Sequence, residues 1–434
     1  MDGVKVVGSE LLGTGLAFPS LENLSFEDMK GWEAWSTSSG ILVDTSFPCL
    51  QTLWLKGCPN LVRISLEMLP SLRVLGIHGC GHEVLRSLIG VASSITNLYI
   101  SYISGLNDQV WGGVIEYLGA VEVVIIENCN EISYLWESEA KASKVLVNLR
   151  KLEVNYCSNL VSLGEKEDDN CAGNLTSLAS LTLGGCHSLD HCICPNSVKL
   201  LCIWGCYKFF ENGLVGAQEK PLINSNIRML ESLNIRDWLN LKLITELSSF
   251  NHLRQLLIVN CPKMESFPDH ELPNLMVLIK LEILGCESMD ASFPRGLWPP
   301  QLSSLKIGGV MKPILEWGPQ TFPTSLVHLA LYGRPYDYVS NFSQLSHLLP
   351  SSLTSLEIHG FDKVESVSMG LQHLTSLQHL SIGHCPRLID LPEMLLPSLL
   401  SLAIVGCPNL KERSSKRGSY WPLVSRIPCC IDIS

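Results

Sequence analysis

The chain is 434 residues long and acidic, with a formal net charge of −11 at pH 7. Its hydrophobic share of 46% and its mean hydropathy of +0.22 exclude an intrinsically disordered chain. No dominant basic patch is present, which argues against nucleic acid as the main partner. No stretch of roughly 20 apolar residues is available to span a membrane. The opening residues, Met1–Lys5, do not resemble a signal peptide, and seventeen cysteines without an export signal indicate a reducing, cytoplasmic compartment.

One apolar pattern recurs along the whole chain. Each copy reads L-x-x-L-x-[I/L/V], and successive copies are spaced by 20 to 32 residues, about 25 on average. The alternation of the second and third apolar residues has the two-residue period of a strand with one buried face. The first apolar residue of each copy is called its anchor, and the sixteen anchors are Leu21, Leu50, Leu72, Ile95, Val121, Leu149, Leu178, Val198, Leu230, Leu253, Leu278, Leu302, Leu326, Leu353, Leu377 and Leu399.

The clearest copies continue beyond the strand into a turn. Leu50-Gln-Thr-Leu53-Trp-Leu55-Lys-Gly-Cys58-Pro-Asn-Leu61 and Leu399-Leu-Ser-Leu402-Ala-Ile404-Val-Gly-Cys407-Pro-Asn-Leu410 show the complete unit. Units of this length stack their strands in parallel and bury one continuous core. The sequence therefore predicts an α/β solenoid, a leucine-rich-repeat arc of about 16 repeats. A parallel β-sheet would form its concave face, with irregular loops and short helices on its convex face.

Ten of the seventeen cysteines occupy a single register, eight residues after the anchor. They are Cys58, Cys80, Cys129, Cys157, Cys186, Cys206, Cys261, Cys286, Cys385 and Cys407. This position of a leucine-rich repeat usually takes asparagine or cysteine at the turn after the strand. We therefore predict that these cysteines are small buried residues whose thiols bond weakly to nearby backbone, rather than disulfides or metal ligands.

The repeats divide the chain into three predicted parts. Residues 1–20 form a lead-in that is the remnant of a preceding repeat, residues 21–410 form the solenoid, and residues 411–434 form a cap or tail. Two long return segments have helical spacing, which predicts short outer helices over Glu83–Val91 and Val110–Leu118.

Three surface features complete this prediction. The acidic stretch Glu165–Asn170 is expected to be a solvated loop. The first repeat strand has no evident cap and is expected to be exposed. The open edge of the last repeat is expected to be shielded by Trp421, Leu423, Val424 and Ile427.

Three segments carry a family resemblance. The first repeat reads Leu21-Glu-Asn-Leu24-Ser-Phe26-Glu-Asp-Met29-Lys-Gly-Trp32-Glu-Ala-Trp35, an interior repeat contains Glu131-Ile-Ser-Tyr-Leu-Trp136-Glu137, and the last repeat runs into Lys416-Arg-Gly-Ser-Tyr420-Trp421-Pro422. They resemble segments of the leucine-rich-repeat domains of plant intracellular immune receptors, the nucleotide-binding leucine-rich-repeat proteins of the coiled-coil type. The resemblance covers essentially the whole chain. It implies a cytoplasmic, non-enzymatic recognition module of plant innate immunity.

The sequence departs from that family in one respect. It contains no G-x-x-x-x-G-K-[ST] phosphate loop and no Met-His-Asp switch motif. We therefore expect a truncated member without the nucleotide-binding (NB-ARC) domain, and we expect no cofactor. The resemblance implies a protein ligand: a pathogen effector, a guarded host protein, or an NB-ARC-type domain that the chain would contact in trans.

Catalytic and metal sites are not expected. The motifs of serine and cysteine nucleophiles are missing. One cluster has zinc-ligand residue types, namely Cys186, His187, His191, Cys192, Cys194, Cys202 and Cys206. We expect no zinc there, because Cys186 and Cys206 are repeat positions and Cys202 lies on a strand. The histidines at outward strand positions, His328, His359 and His379, are expected to be polar, solvent-facing residues.

The residues beside the second and third apolar positions of each strand form the predicted binding surface, because they face the concave side. Aromatic residues at such exposed positions are common anchors of protein interfaces. The predicted binding residues are Trp54, His78, Tyr99, Glu153, Trp204, Arg236, Lys306, Tyr332 and His359. Other residues placed on this face are Lys56, Gly76, Ser101, Ile125, Glu127, Asn155, Cys202, Asn234, Leu257, Val259 and Glu357.

Each alternative function would require sequence features of its own. A substrate adaptor of a ubiquitin ligase would need an N-terminal F-box helix trio, for which residues 1–20 are too short. An extracellular receptor ectodomain would need a signal peptide, flanking cysteine caps and G-x-I-P repeats. An inactive receptor fragment is compatible with the sequence.

Overall fold

The computed structural model describes residues 3–8, 18–36, 47–166, 175–190, 194–206, 208, 229–242, 244, 247, 250–267, 271–334 and 337–431. Within these ranges each repeat contributes one parallel strand, followed by a turn and a return segment. The chain forms two compact units, with the main boundary between Met229 and Leu230. No helix of the described ranges is long and apolar enough to cross a membrane.

The first unit contains thirteen strands in its described part. They are β1 (Val6–Val7), β2 (Asn23–Glu27), β3 (Ala34–Ser36), β4 (Thr52–Lys56), β5 (Arg63–Ser65), β6 (Val74–His78), β7 (Asn97–Ser101), β8 (Val123–Glu127), β9 (Tyr134–Ser138), β10 (Lys151–Asn155), β11 (Ser162–Lys166), β12 (Ser180–Gly184) and β13 (Leu200–Trp204). The eight repeat strands pair in parallel in the order β2-β4-β6-β7-β8-β10-β12-β13. Two small parallel sheets, β1-β3-β5 and β9-β11, lie on the return segments.

The second unit contains nine strands in its described part. They are β14 (Ser232–Arg236), β15 (Gln255–Val259), β16 (Lys280–Leu284), β17 (Ser304–Gly308), β18 (His328–Tyr332), β19 (Ser355–His359), β20 (His379–Gly383), β21 (Ser401–Val405) and β22 (Cys429–Ile431). Each strand pairs in parallel with the next along the chain.

The predicted leucine-rich-repeat fold is confirmed, because each of the sixteen repeat strands begins two residues after a predicted anchor. The second and fourth residues of each strand point into the core, as Leu53 and Leu55 do with no exposed surface. The anchor Leu50 and the later Leu61 of the same repeat are equally buried. Burial of one such leucine contributes about 1.5–3 kcal/mol before conformational entropy is counted.

A sharp turn follows the strand in almost every repeat. The residue directly after the strand has a positive φ in fifteen of the sixteen repeats. Glycine takes this left-handed conformation at no steric cost, which explains the Gly-Cys-Pro turns, as at Gly57 with φ +65°. Tyr156 and His384 adopt it too, with φ +57° and +51°, although a bulky side chain disfavours it.

The cysteine register has the predicted structural role. All ten of its cysteines are buried, and none of them forms a disulfide with a described residue. Each thiol donates to the carbonyl oxygen two residues earlier, as Cys58 does to Lys56 at 3.5 Å. Burial raises the pKa of Cys129 to about 11 and that of Cys261 to about 12, so these thiols remain protonated and unreactive at neutral pH.

Helices occupy parts of the return segments. They are α1 (His82–Val91), α2 (Asp108–Ile115), α3 (Glu139–Val145), α4 (Glu271–Asn274), α5 (Ser368–Leu371), α6 (Pro408–Ser414) and α7 (Trp421–Val424), with 3-10 helices at Ile314–Glu316, Phe342–Leu348 and Leu396–Ser398. The first two confirm the predicted outer helices to within three residues. The second begins where the Asn107 side chain accepts a hydrogen bond from the Val110 N–H at 3.0 Å.

The return segments also correct the sequence-based prediction. The proposed acidic loop Glu165–Asn170 is wrong at its start, because Glu165 and Lys166 end strand β11 and this strand pairs with β9. Positions 167–170 lie outside the described residues. The two small return-side sheets were not predicted, since most of their strands are too short to show a period.

The first repeat strand is exposed, as expected. Among the described residues β4 is its partner, and its inward residues Leu24 and Phe26 are only half-buried. Aromatic packing beneath Phe26 compensates for this: its ring lies 4.8 Å from that of Trp32 and 5.3 Å from that of Trp35. Both tryptophans are fully buried, so they form the core of this first repeat.

The last repeat is covered differently from the prediction. Strand β22 pairs with β21 and extends the sheet by backbone hydrogen bonds. Of the four residues expected to shield this edge, Val424 and Ile427 are buried, whereas Trp421 and Leu423 are half-buried.

Candidate binding surface

The predicted binding residues lie on the face of the repeat sheets that points away from the core. The first, third and fifth residues of each repeat strand form this face, which we call the outer sheet face. All nine predicted residues occupy it; His78 is exposed and the other eight are half-buried. These side chains are half-buried because they contact residues of neighbouring strands. The same contacts determine which of their polar groups and ring faces remain available to a partner.

Trp54 and Tyr99 form an aromatic pair in the first unit. They lie on β4 and β7, and their ring centroids are 5.5 Å apart with 28° between the ring planes. The residue between them in register is Gly76, and a Cβ there would lie 2.0 Å from the indole. Lys56 Nζ lies 5.5 Å from the Trp54 ring centroid and 2.8 Å from Glu27 Oε1. The indole face therefore already carries a cation from the chain itself.

His78 extends this aromatic patch towards the strand ends. Its Nδ1 lies 2.7 Å from Ser101 Oγ. Its ring meets that of Tyr102 edge to face at 5.2 Å. Tyr102 is 56% exposed, so the patch ends in an aromatic side chain that is open to solvent.

Trp204 belongs to a second group of residues in the first unit. Its indole lies over Gly184 of β12, where a Cβ would approach the ring within 2.1 Å. The Tyr156 ring meets it edge to face at 5.0 Å. Glu127, Asn155, Gly184 and Trp204 are successive partners in the register of β8, β10, β12 and β13. We call Glu127, Asn155, Tyr156 and Trp204 the acidic–aromatic site.

Two predicted binding residues are held by neighbours on their own strands. Glu153 lies 2.9 Å from Lys151 Nζ. In the second unit, Arg236 Nε donates to Asn234 Oδ1 at 2.9 Å. Both side chains remain on the outer sheet face, and their role in binding stays a prediction.

A carboxylate surrounded by basic groups marks the second unit. Lys306 Nζ of β17 donates to Glu357 Oε2 of β19 at 3.1 Å, across the fully buried Ala330 of β18. The Nε2 atoms of His328 and His359 lie 3.4 Å and 3.8 Å from the two oxygens of this carboxylate. We call Lys306, His328, Glu357 and His359 the charged cluster.

Burial controls the protonation of the charged cluster. Burial lowers the pKa of His328 and of His359, and the charge of Lys306 adds to this against the opposing charge of Glu357. Burial also lowers the pKa of Lys306, but its hydrogen bond to Glu357 and the attraction of this carboxylate outweigh burial, so its pKa is raised. Near neutral pH the two histidines are therefore neutral, and Lys306 is the cation that Glu357 binds.

Tyr332 packs beside this cluster. Its ring stacks on that of His359 with centroids 5.1 Å apart and 13° between the planes. Burial raises the pKa of the Tyr332 hydroxyl, which therefore stays protonated. A Cβ at Gly308 would lie 2.4 Å from both the Cβ and the carbonyl oxygen of Tyr332, so the strand beneath it requires glycine.

The histidines and glutamates of this face differ from the sequence-based expectation in their surroundings. The expectation that His328 and His359 face solvent is wrong: both are half-buried with Nε2 near Glu357, and His328 Nδ1 also lies 2.9 Å from Ser355 Oγ. His379 is exposed, as expected. The sequence placed Glu127 and Glu357 on this face but did not single them out, because it does not show which outward residues of different repeats meet.

Tyr156 was missed because it follows its strand instead of lying on it. A usable signal was present, since a bulky residue stands there where other repeats have glycine. For metals, the described residues contain no group of three His, Cys, Asp or Glu side chains arranged to hold an ion. Two residues of the cysteine- and histidine-rich segment, His191 and Cys192, lie outside the described residues.

Comparison with known proteins gives two curated relatives. The putative disease resistance protein At3g14460 of Arabidopsis thaliana is 24% identical over 332 residues, which is 65% of this chain and 23% of the relative. The disease resistance protein RPS4B of the same plant is 28% identical over 267 residues, which is 61% of this chain and 16% of the relative. The chain thus spans less than a quarter of either relative. No family model matches the chain.

Solved structures similar to this chain include two bacterial proteins of low identity. The Leptospira interrogans LRR protein LIC12759 is 15% identical, with a TM-score of 0.47, and the alignment covers 99% of this chain and 100% of that one. An internalin, InlF, of Listeria monocytogenes is 19% identical, with a TM-score of 0.39, and the alignment covers 77% of this chain and 80% of that one.

Proposed function

We propose that this chain, a homologue of plant disease resistance proteins, is a recognition module of plant innate immunity that binds a protein through its outer sheet face. It acts in the cytoplasm and without catalysis. The partner is a pathogen effector, a guarded host protein or a nucleotide-binding switch domain. In the last case the chain would favour one state of the switch by binding it more tightly than the other.

The observation that carries this proposal is the aromatic patch of the first unit. Trp54 and Tyr99 pair on a sheet face from which the core residues point away, and Tyr102, just after β7, packs against His78 of the same face. Large aromatic side chains give much contact area at low entropic cost and dominate the free energy of many protein interfaces. The scaffold itself does not need them there, because the leucines at the second and fourth strand positions already fill the core.

Affinity capture with matched variants tests the proposal. The full chain is immobilised and exposed to extract from infected leaves. Wild type is compared with Trp54→Ser/Tyr99→Ser and with Tyr117→Ser, which removes a tyrosine that is 60% exposed just after α2 on the return side. We expect a bound protein whose recovery falls by at least about tenfold with the double variant, since the loss of a hot-spot residue costs about 2 kcal/mol or more.

Two controls complete this experiment. Recovery should be unchanged with Tyr117→Ser, and thermal unfolding should show that every variant is folded. A partner retained equally by the Trp54→Ser/Tyr99→Ser chain, or lost only with Tyr117→Ser, would place recognition elsewhere.

A further inference from the structure

We propose that the acidic–aromatic site of the first unit binds an arginine side chain of the protein partner. This inference rests on the proposed function, which supplies the partner, and adds the chemistry by which one part of the outer sheet face would recognise it. The site comprises Glu127, Asn155, Tyr156 and Trp204, all in the same unit.

The register of the strands gives the site its dimensions. Glu127, Asn155 and Gly184 lie side by side on β8, β10 and β12, and the Trp204 indole covers Gly184. Neighbouring strands are about 4.8 Å apart, so roughly 10 Å separate the strand of Glu127 from the strand beneath the indole. The space between them spans β10, the strand of Asn155. Tyr156, which is 51% exposed, borders it through its edge-to-face contact with Trp204.

Charge and hydrogen bonding favour a cation in this space. Elsewhere on the outer sheet face the chain supplies cations itself: Lys56 covers Trp54, and Lys306 binds Glu357. In the described part of the chain, neither the Glu127 carboxylate nor the Trp204 ring has such a cation. On the strand between them, Asn155 Oδ1 is buried and accepts no hydrogen bond from any described residue.

The shape of the site selects arginine over lysine. A guanidinium is planar, so it stacks on an indole while its N–H groups donate in parallel to a carboxylate. Lysine offers a point charge that cannot do both. At the left-handed turn position of this repeat, Tyr156 has a φ of +57°, and its ring lies against that of Trp204. The equivalent residue of another repeat is Gly57, which adopts this conformation without strain.

Nuclear magnetic resonance of the indole N–H groups tests this site in the full chain. The probe is N-acetyl-arginine amide at up to tens of millimolar, and the Trp204 signal is assigned by its disappearance in Trp204→Phe. We expect a saturable shift of that signal with a dissociation constant of about 1–10 mM, as befits one side chain. N-acetyl-lysine amide should bind more weakly. N-acetyl-citrulline amide, which has the same shape without the charge, should produce no saturable shift.

Matched variants decide the role of the carboxylate. Glu127→Gln should weaken arginine binding at least about fivefold, and added salt should weaken binding to the wild-type chain. Glu116→Gln, which neutralises an exposed carboxylate on the return side of the same unit, should change nothing. Equal shifts with arginine and citrulline amides, or full affinity in Glu127→Gln, would overturn the proposal.

The partner capture described above separates this inference from the proposed function. If the inference holds, Glu127→Gln lowers partner recovery and Glu116→Gln does not. If Glu127→Gln loses arginine affinity yet retains the partner fully, the partner's arginine does not occupy the site, and the inference fails while the proposed function stands. The proposed function itself fails if no variant of the outer sheet face changes the recovery of the partner.

Discussion

Glu127 and Glu357 are both half-buried glutamates on the outer sheet face, yet they have opposite surroundings. Glu357 lies among Lys306, His328 and His359 of its own unit. Glu127 faces Asn155 and the Trp204 indole, and no described residue pairs with it. The same repeat scaffold thus builds one carboxylate that the chain neutralises itself and one that no described residue neutralises.

The difference between the surroundings of Glu127 and Glu357 arises from the residues on the next strand and on the strand after it. Ala330 is small enough for Lys306 to reach over it to Glu357, so the second unit closes its own ion pair. In the first unit Gly184 gives room to an indole, which brings no charge. The side-chain contacts on this face therefore depend on the residues across neighbouring strands as much as on those of any single strand.

The largest expected effect on stability concerns the two glycines that lie beneath an aromatic residue of the next strand. Gly308→Ala should destabilise the chain by about 1–3 kcal/mol, because its Cβ would meet the backbone oxygen of Tyr332 at 2.4 Å. Gly184→Ala should cost less than about 1 kcal/mol, since the three atoms nearest to its Cβ all belong to the indole of Trp204, which can rotate away. Urea unfolding measures both, and equal losses would show that the two aromatic residues are held alike.

The next largest effect should come from removing the two carboxylates one at a time, and the loss of stability should differ between them. Glu357→Ala leaves the half-buried Lys306 without its partner and should cost about 1–2 kcal/mol. Glu127→Ala removes no ion pair seen in the described residues and should change stability by less than about 0.5 kcal/mol. The free energy of unfolding at neutral pH checks this, and a larger loss for Glu127→Ala would contradict the contrast.

Part of the decrease in stability between pH 7.5 and pH 5 should arise from the two histidines of the charged cluster. The pKa of His328 and of His359 is lowered in the folded chain, so the unfolded chain takes up protons first as the pH falls. Their contribution to stability is therefore complete above about pH 7 and decreases as the pH drops through the ordinary histidine value near 6.5. Unfolding at pH 7.5 and pH 5 should show a smaller decrease for His328→Gln/His359→Gln than for wild type. An unchanged decrease would mean that other groups cause the pH dependence.

The smallest expected effect is a difference in stability between variants of two bulky residues at the left-handed turn position. His384→Asn should stabilise the chain by about 0.5–1 kcal/mol, because asparagine tolerates a positive φ better. Tyr156→Asn gains the same relief but loses the contact with Trp204, worth about 0.5–1.5 kcal/mol, and should be nearly neutral. Thermal unfolding of both variants measures this, and a clear gain for Tyr156→Asn would show that its ring contact contributes little.

The sequence predicts the scaffold well, because core residues repeat locally. The alternation around Leu53 and Leu55 identifies a strand, and the cysteine eight residues after each anchor identifies the turn. Short return-side strands such as Arg63–Ser65 escape prediction, since three residues show no period and their partners lie about 30 residues away.

The candidate sites are only partly predictable for a related reason. The outward positions of Trp54, Tyr99 and Trp204 follow from the strand period. The contacts of Glu357 with His328 and Lys306 do not, because they join residues that are 29 and 51 positions apart, and the contact with Lys306 depends on the size of the residue between them. His328 shows the limit most clearly: its outward position is correct, but its environment is set by Ser355 and Glu357 on the next strand.

Carboxylate footprinting by mass spectrometry tests the central contrast most directly. The full chain is labelled with a carbodiimide and an amine, with and without the captured partner, and the labelling of Glu127 and Glu357 is compared. We predict that Glu127 is labelled readily in the free chain and is protected by the partner, whereas Glu357, held by Lys306, is labelled slowly in both states. Equal labelling of the two glutamates, or labelling of Glu127 that the partner leaves unchanged, would contradict the account.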